Sequence, residues 1–271
     1  MSAGLQELAG RGVVLLGCGK MGGALLRGWL DAGLPAEAAT VLDPAAPEWL
    51  AAAGVRTHAE PPAQPAALVL AVKPQIMAEA LPQVAPLAGP QTLTLSIAAG
   101  LPLAWFEARL PEGAALVRAM PNTPAAVGRG ITALIANRAG EALLPRAEAM
   151  LAAVGETLRL EDEAQMDAVT ALSGGGPAYV FHLIETMAAA GVAEGLAPEA
   201  AMRLARATVC GAGELARRSE DSAEALRVAV TSPGGTTAEA LRVLMDAERG
   251  LPPLMRRAVA AATERGRQLG A

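Results

Sequence analysis

Two hydrophobic patterns divide the chain. Up to about residue 160, short apolar runs end at turns rich in glycine, proline or hydroxyl residues; from about Glu161, apolar positions recur at helical spacing. Val13-Val14-Leu15-Leu16 predicts a buried parallel strand, and Met21 to Leu30 has the spacing of a helix that ends near Gly33 and Pro35. Further strands are predicted at Thr40–Leu42, Ala67–Val72, Thr92–Ile97, Leu116–Met120 and Gly130–Ala136. Helical segments between these roughly six strands predict an α/β domain built on a parallel sheet.

The later pattern predicts helices over Ala178–Gly191, Pro198–Arg218, Thr237–Ala247 and Pro253–Leu269. Pro198 suits a first helical turn. No repeat at solenoid spacing and no low-complexity tether marks the join. The expected division is therefore 1–160, nucleotide-binding, and 161–271, helical.

The turn after the first strand is Gly17-Cys18-Gly19-Lys20-Met21-Gly22, a complete G-x-G-x-x-G. Gly17 permits a tight turn, Gly19 admits a pyrophosphate, and Gly22 lets helix and strand approach closely. The following helix offers free N–H groups to the anion. Asp43 ends the second strand about 20 residues beyond the last glycine, where an acid that binds the adenosine ribose belongs. The same residues also fit a structural turn and a loop aspartate; the order strand, glycines, helix, acid favours a dinucleotide. In an open parallel sheet ligands sit beyond the carboxyl ends of the strands, which is where Val72-Lys73-Pro74 and Ala98-Ala99-Gly100 fall.

Composition narrows the classes. Aromatic residues are 2% of the chain, so Ala, Val, Leu and Met must fill the core, and part of the stabilising surface is expected between subunits. A net charge of −5, with no basic stripe interleaved with aromatics, argues against a nucleic-acid partner. No apolar run reaches the about 18 residues of a membrane span. Cys18 and Cys210 lack metal-ligand spacing, so no metal is expected. With no signal-peptide pattern at the start either, a soluble, reduced, cytoplasmic protein is the expectation.

One break in the helical half carries chemistry. Val230-Thr231-Ser232-Pro233-Gly234-Gly235-Thr236-Thr237 places two glycines, a proline and several hydroxyls just ahead of a helix. This makes either an anion-receptive helix start or simply a well-capped one. A nicotinamide enzyme needs a second site for its substrate, which favours the first reading.

Several segments now resemble one family: VKPQ (Val72 to Gln75), SIAAG (Ser96 to Gly100), MPNTP (Met120 to Pro124), DAVTALSGGGPAYVF (Asp167 to Phe181) and VTSPGGTT (Val230 to Thr237). Together with the glycine loop they look like the pyrroline-5-carboxylate reductases, in order and over nearly the whole chain. The resemblance implies a Rossmann-type parallel-sheet domain followed by an all-α dimerisation domain whose helices interleave between two subunits, with dimers often assembling into decamers. It implies reduction of 1-pyrroline-5-carboxylate to L-proline, the final step of proline biosynthesis, usually with NADPH. Carried over, Gly17, Cys18, Gly19, Lys20, Met21 and Gly22 form the cofactor loop. Val72, Lys73, Pro74, Ala98, Ala99 and Gly100 flank the nicotinamide half, and His58 lies near the adenine ribose. In the same carry-over Thr237 takes the position of the catalytic threonine that hydrogen-bonds the imine nitrogen, Ser232, Gly234, Gly235 and Thr236 are expected to hold the carboxylate, and Glu163 matches a position that borders the substrate.

The chain departs from the family pattern at Gly175, where the second serine of Ser-Gly-Ser-Gly-Pro is usual, and at Lys20, where asparagine or glutamine is commoner. Asp43 would repel a 2′-phosphate and favour NAD(H), while Lys20 or His58 would offset it, so both NADP(H) and NAD(H) stay open. Neither histidine suits general acid–base work: His182 falls in a helical pattern and His58 in a nucleotide-domain loop. The rivals are another imine or 2-hydroxy-acid reductase of this architecture, or a non-catalytic NADP-sensing module. Both lysines precede residue 80, against a helical-domain catalytic lysine, and the sensor gives no reason for the VTSPGGTT loop.

Overall fold

Buried on both faces, a parallel strand must be apolar throughout, and the short runs behave accordingly. In the computed structural model, which describes residues 3–57 and 59–270, β1 (Val13–Leu16), β2 (Ala39–Leu42), β3 (Arg56–Thr57), β4 (Ala67–Leu70), β5 (Leu93–Ser96), β6 (Leu116–Met120), β7 (Gly130–Ala136) and β8 (Gly155–Arg159) form one sheet. Their order is β3-β2-β1-β4-β5-β6-β7-β8. Strands β1 to β6 are mutually parallel, and β4 and β5 register as Ala67↔Leu93 through Leu70↔Ser96. The seventh strand departs from the expected pattern and pairs antiparallel with β6. Only residues 121–129 join the two, and a parallel crossover needs about a dozen residues or more. His58, expected beside the adenine ribose, lies outside the described residues.

Strand alternation sends side chains to two apolar layers. Val13, Leu15, Val69 and Leu95 pack with Leu25, Leu26 and Trp29 of α2 (Lys20–Asp31), following α1 (Ala3–Arg11), and with Ala147, Met150 and Leu151. Val14, Leu16, Leu68 and Leu70 face the other way, against Met77, Leu81, Leu103 and Phe106. Short helices α3 (Trp49–Ala52), α4 (Pro74–Ala80), α5 (Leu103–Glu107) and α6 (Leu144–Leu151) fill the connections. Buried Trp29 donates its Nε1–H to the Met150 carbonyl (2.9 Å), tying α2 to the end of α6.

Every element after Arg159 is helical: α7 (Met166–Val169), a π-turn over Thr170–Gly174, α8 (Gly176–Ala193), α9 (Pro198–Arg218), α10 (Ala223–Ala229), α11 (Thr236–Leu244) and α12 (Leu251–Gly270). The chain divides into two compact units: residues up to Gly174 together with those from Thr263 on, and Gly175–Ala262. Within the second unit α8 and α9 pack along each other, and the buried apolar residues among those described are only Ala188, Ala201 and Ala205. Large apolar side chains there stay in solvent, with Phe181 61% and Leu204 55% exposed. No described helix is long and apolar enough to cross a membrane.

Candidate functional site

The parallel run of β1 to β6 brings the expected cofactor residues of the first unit to one edge of the sheet. Gly17 to Gly22 follow β1, Asp43 follows β2, Val72 to Pro74 follow β4, and Ala98 to Gly100 follow β5. Close packing excludes a side chain at Gly22, where a Cβ would lie 2.4 Å from the Gly17 carbonyl oxygen and 3.1 Å from Ala71 Cβ, while a Cβ on Gly19 would meet open space. Gly19 caps α2 without a side-chain bond, so the first-turn N–H groups stay free for an anion. These features fit a pyrophosphate. Lys73 precedes α4, whose first residue is Pro74, and Gly100 turns the chain with φ of 79°.

Asp43 closes this loop. Its Oδ2 accepts the Cys18 N–H (2.6 Å) and its Oδ1 accepts the Ala45 N–H (2.8 Å). A groove of about 620 Å³ lies alongside, lined by Lys20, Arg27, Asp43 and Trp49 among others. The Arg27 guanidinium stacks 4.2 Å over the Trp49 ring. Motif spacing did not reveal Arg27 and Trp49. Arg27 could have been found, because it stands two helical turns beyond Lys20 and so on the same face of α2.

Burial, and then the neighbouring Asp43 carboxylate, push the Cys18 thiol up to about 11, with Arg27 pulling the other way. Only thiolate attacks alkylating agents, so a rise from 9.0 to about 11 cuts reactivity near neutral pH roughly 100-fold. In a Cys210→Ser variant, iodoacetamide should label Cys18 at about a hundredth of the free-thiol rate, and denaturant should restore that rate. Labelling at the free-thiol rate in the native state would contradict the buried setting.

In the second unit the Val230–Thr237 segment links α10 to α11. The Thr231 hydroxyl donates to the Arg227 carbonyl (2.6 Å), the Gly235 N–H to the Ser232 carbonyl (3.1 Å), and Gly234 has φ of 68°. Gly235 caps α11 with no side-chain bond, and exposed Thr236 and Thr237 begin the helix, one residue earlier than the spacing predicted. Ser232 is exposed too, so hydroxyls and uncapped N–H groups share one turn.

Glu163 belongs to the first unit. Its Oε1 accepts from Arg118 Nη1 (2.7 Å), a side chain only 6% exposed, and from the Leu103 N–H (2.8 Å). Sequence spacing gave no sign of this pair, whose members are 45 residues apart. Gly175 has φ −78° and ψ −23°, a conformation open to any residue. His182 is exposed and its Nδ1 lies 3.1 Å from Glu185 Oε2. Among the described residues no group of three or more His, Cys, Asp or Glu side chains could hold a metal ion.

Comparison with known proteins joins these observations. Residues 163–269 match the family model for pyrroline-5-carboxylate reductase dimerisation, and residues 12–100 match that for NADP oxidoreductase, coenzyme F420-dependent. A pyrroline-5-carboxylate reductase of Pseudomonas aeruginosa is 40% identical, with 95% of this chain and 96% of the relative covered. The structure of a pyrroline-5-carboxylate reductase from Coxiella burnetii superposes with a TM-score of 0.88 at 32% identity, covering 96% of this chain and 99% of that one. The Plasmodium falciparum enzyme with NADP bound gives a TM-score of 0.81 at 29% identity, covering 96% and 98%. The helical half, poor in buried apolar residues, is thus a dimerisation domain that follows a nucleotide-binding sheet. The chain belongs to the pyrroline-5-carboxylate reductase family.

Proposed function

We propose that the chain, as a homodimer, reduces 1-pyrroline-5-carboxylate to L-proline and takes the hydride from NADPH. The observation that carries the substrate is the uncapped first turn of α11, where backbone N–H groups and exposed threonine hydroxyls coincide. A small carboxylate is held by the N–H groups of Gly234 to Thr237 with Ser232 and Thr236 beside it, and Thr237 orients the ring nitrogen. That nitrogen can arrive already protonated, so its carbon is electrophilic before binding and positioning supplies most of the acceleration. A nicotinamide cofactor, when bound, would supply the hydride. Gly17 to Gly22 would hold its pyrophosphate, and Val72 to Pro74 with Ala98 to Gly100 would border the reactive half.

Preference for the phosphorylated cofactor rests on the groove beside α2. Each Asp43 oxygen already accepts a backbone N–H, while Lys20 and Arg27 add two cations to the groove that this one carboxylate lines. That balance suits a 2′-phosphate. Cofactor oxidation should depend on the cyclic imine, with kcat/KM for NADPH at least about tenfold above NADH. Arg27→Ala should remove about tenfold from the NADPH value and leave NADH within about twofold, the share expected of one charge-assisted contact. Oxidation that ignores the imine would end the reductase reading, and equal use of both cofactors would end only the role of Lys20 and Arg27.

A further inference from the structure

Beyond the cofactor loop, the carboxyl edge of β6 carries a second device. Arg118 and Met120 occupy alternate positions on β6, and Asn122 continues the alternation with an extended backbone (φ −129°, ψ 165°). All three reach the segment that leads to α8. Arg118 pairs with Glu163; a Cβ on Gly174 would meet Met120 Cε at 2.8 Å; and Asn122 Nδ2 donates to the Ser173 carbonyl (3.2 Å).

Ser173 needs that donor. In a regular helix its carbonyl would accept the N–H of the residue four places on, but that residue is Pro177, which has none. The backbone instead forms a π-turn over Thr170–Gly174, a distortion often found at functional sites. Two hydroxyls bond back within it, Thr170 to the Met166 carbonyl (2.8 Å) and Ser173 to the Val169 carbonyl (3.0 Å), an arrangement that bends helices. The other end of the Asn122 amide is occupied as well: Oδ1 accepts the Ile131 N–H (3.0 Å) as β7 begins. With Asn122 only 8% exposed, both amide ends serve backbone partners, and only one orientation of the amide satisfies both.

We infer that Asn122 is a positioning residue for the reductase reaction: by holding the carbonyl that Pro177 leaves without a donor, it fixes the Ser173–Gly174 turn against the carboxyl edge of the sheet. This rests on the reductase reading, which places the reactive end of the cofactor along that edge. Cofactor affinity is set elsewhere, since β6 stands three strands from β1, roughly 14 Å across the sheet.

The test uses the full-length chain. Asn122→Asp keeps the acceptor for Ile131 but turns a second oxygen toward the Ser173 carbonyl. It should lower kcat about tenfold and leave the KM for NADPH within about twofold, the loss expected for one hydrogen bond. Hydrogen exchange without cofactor should quicken at Ser173–Ala178 and stay unchanged in β4 and β5. Adding Pro177→Ala restores a backbone donor to Ser173 and should recover most of the lost kcat, which a general loss of stability would not allow. Should the Asp variant fail to fold, Asn122→Ser, too short to reach Ser173, carries the same comparison. An active wild type with an equally fast Asp variant overturns this role alone, as does a slow variant that Pro177→Ala does not rescue. A wild type without imine-dependent oxidation overturns the reductase reading and this role with it.

Discussion

Thr237→Ala should lower kcat/KM for the cyclic imine about 100-fold, the scale on which loss of one preorganised donor acts on a reacting centre. The threonine lies exposed in the first turn of α11, where no side chain caps the helix. Its removal costs little structure, so the melting temperature should stay within about 2 °C. In the proposed mechanism the hydroxyl is the working group, so Thr237→Ser should regain most of the activity. The loss should appear mainly in kcat if the contact tightens as the ring carbon becomes tetrahedral, and mainly in KM if it is made equally in the ground state. Steady-state kinetics of the three proteins decide the matter. Near-normal turnover in the alanine variant would remove Thr237 from the mechanism.

Glu163→Ala should act in the opposite way, costing stability and sparing substrate affinity. Arg118 is buried, and among the described residues it forms an ion pair with Glu163. Removing one member of such a pair leaves an uncompensated charge, worth about 3 kcal/mol where burial is substantial. In a domain of this size that is a fall of roughly 6–12 °C in melting temperature. Glu163→Gln, which can still accept from Arg118 and from the Leu103 N–H, should fall between. The KM for the imine should remain within about threefold of wild type in both variants. A raised KM with unchanged melting would return Glu163 to the substrate-bordering role that the family resemblance suggests.

These two residues mark how far the sequence could be read. The proposed role of Thr237 was legible because its setting is local: VTSPGGTT contains the glycines, and the helix start that the structure shows follows directly. Glu163 stands in the acidic run Glu161-Asp162-Glu163, and nothing nearby distinguishes the one carboxylate that turns inward to an arginine 45 residues away. Asn122 is similar: MPNTP was legible as a motif, yet its bond to Ser173 spans 51 positions. Strands obey the same logic. The six apolar runs were readable because burial on both faces imposes one composition. Strand β3 is only two residues long, and β8 is an edge strand reading Gly-Glu-Thr-Leu-Arg with little burial, so neither leaves that imprint. Helix α10 was also overlooked; Ser222, whose hydroxyl oxygen accepts the Ala225 N–H (3.1 Å), is the start signal it offered.

The scarcity of buried apolar residues in Gly175–Ala262 bears on how the protein comes into being. A newly synthesised copy can complete its sheet around an oily interior of its own. In a single copy its carboxyl-terminal helices keep Phe181, Leu204 and their neighbours wetted, in a domain whose family model is one of dimerisation. Where pairing supplies apolar burial that a single copy lacks, the stability of that half should rise with protein concentration, which melting at two concentrations would show.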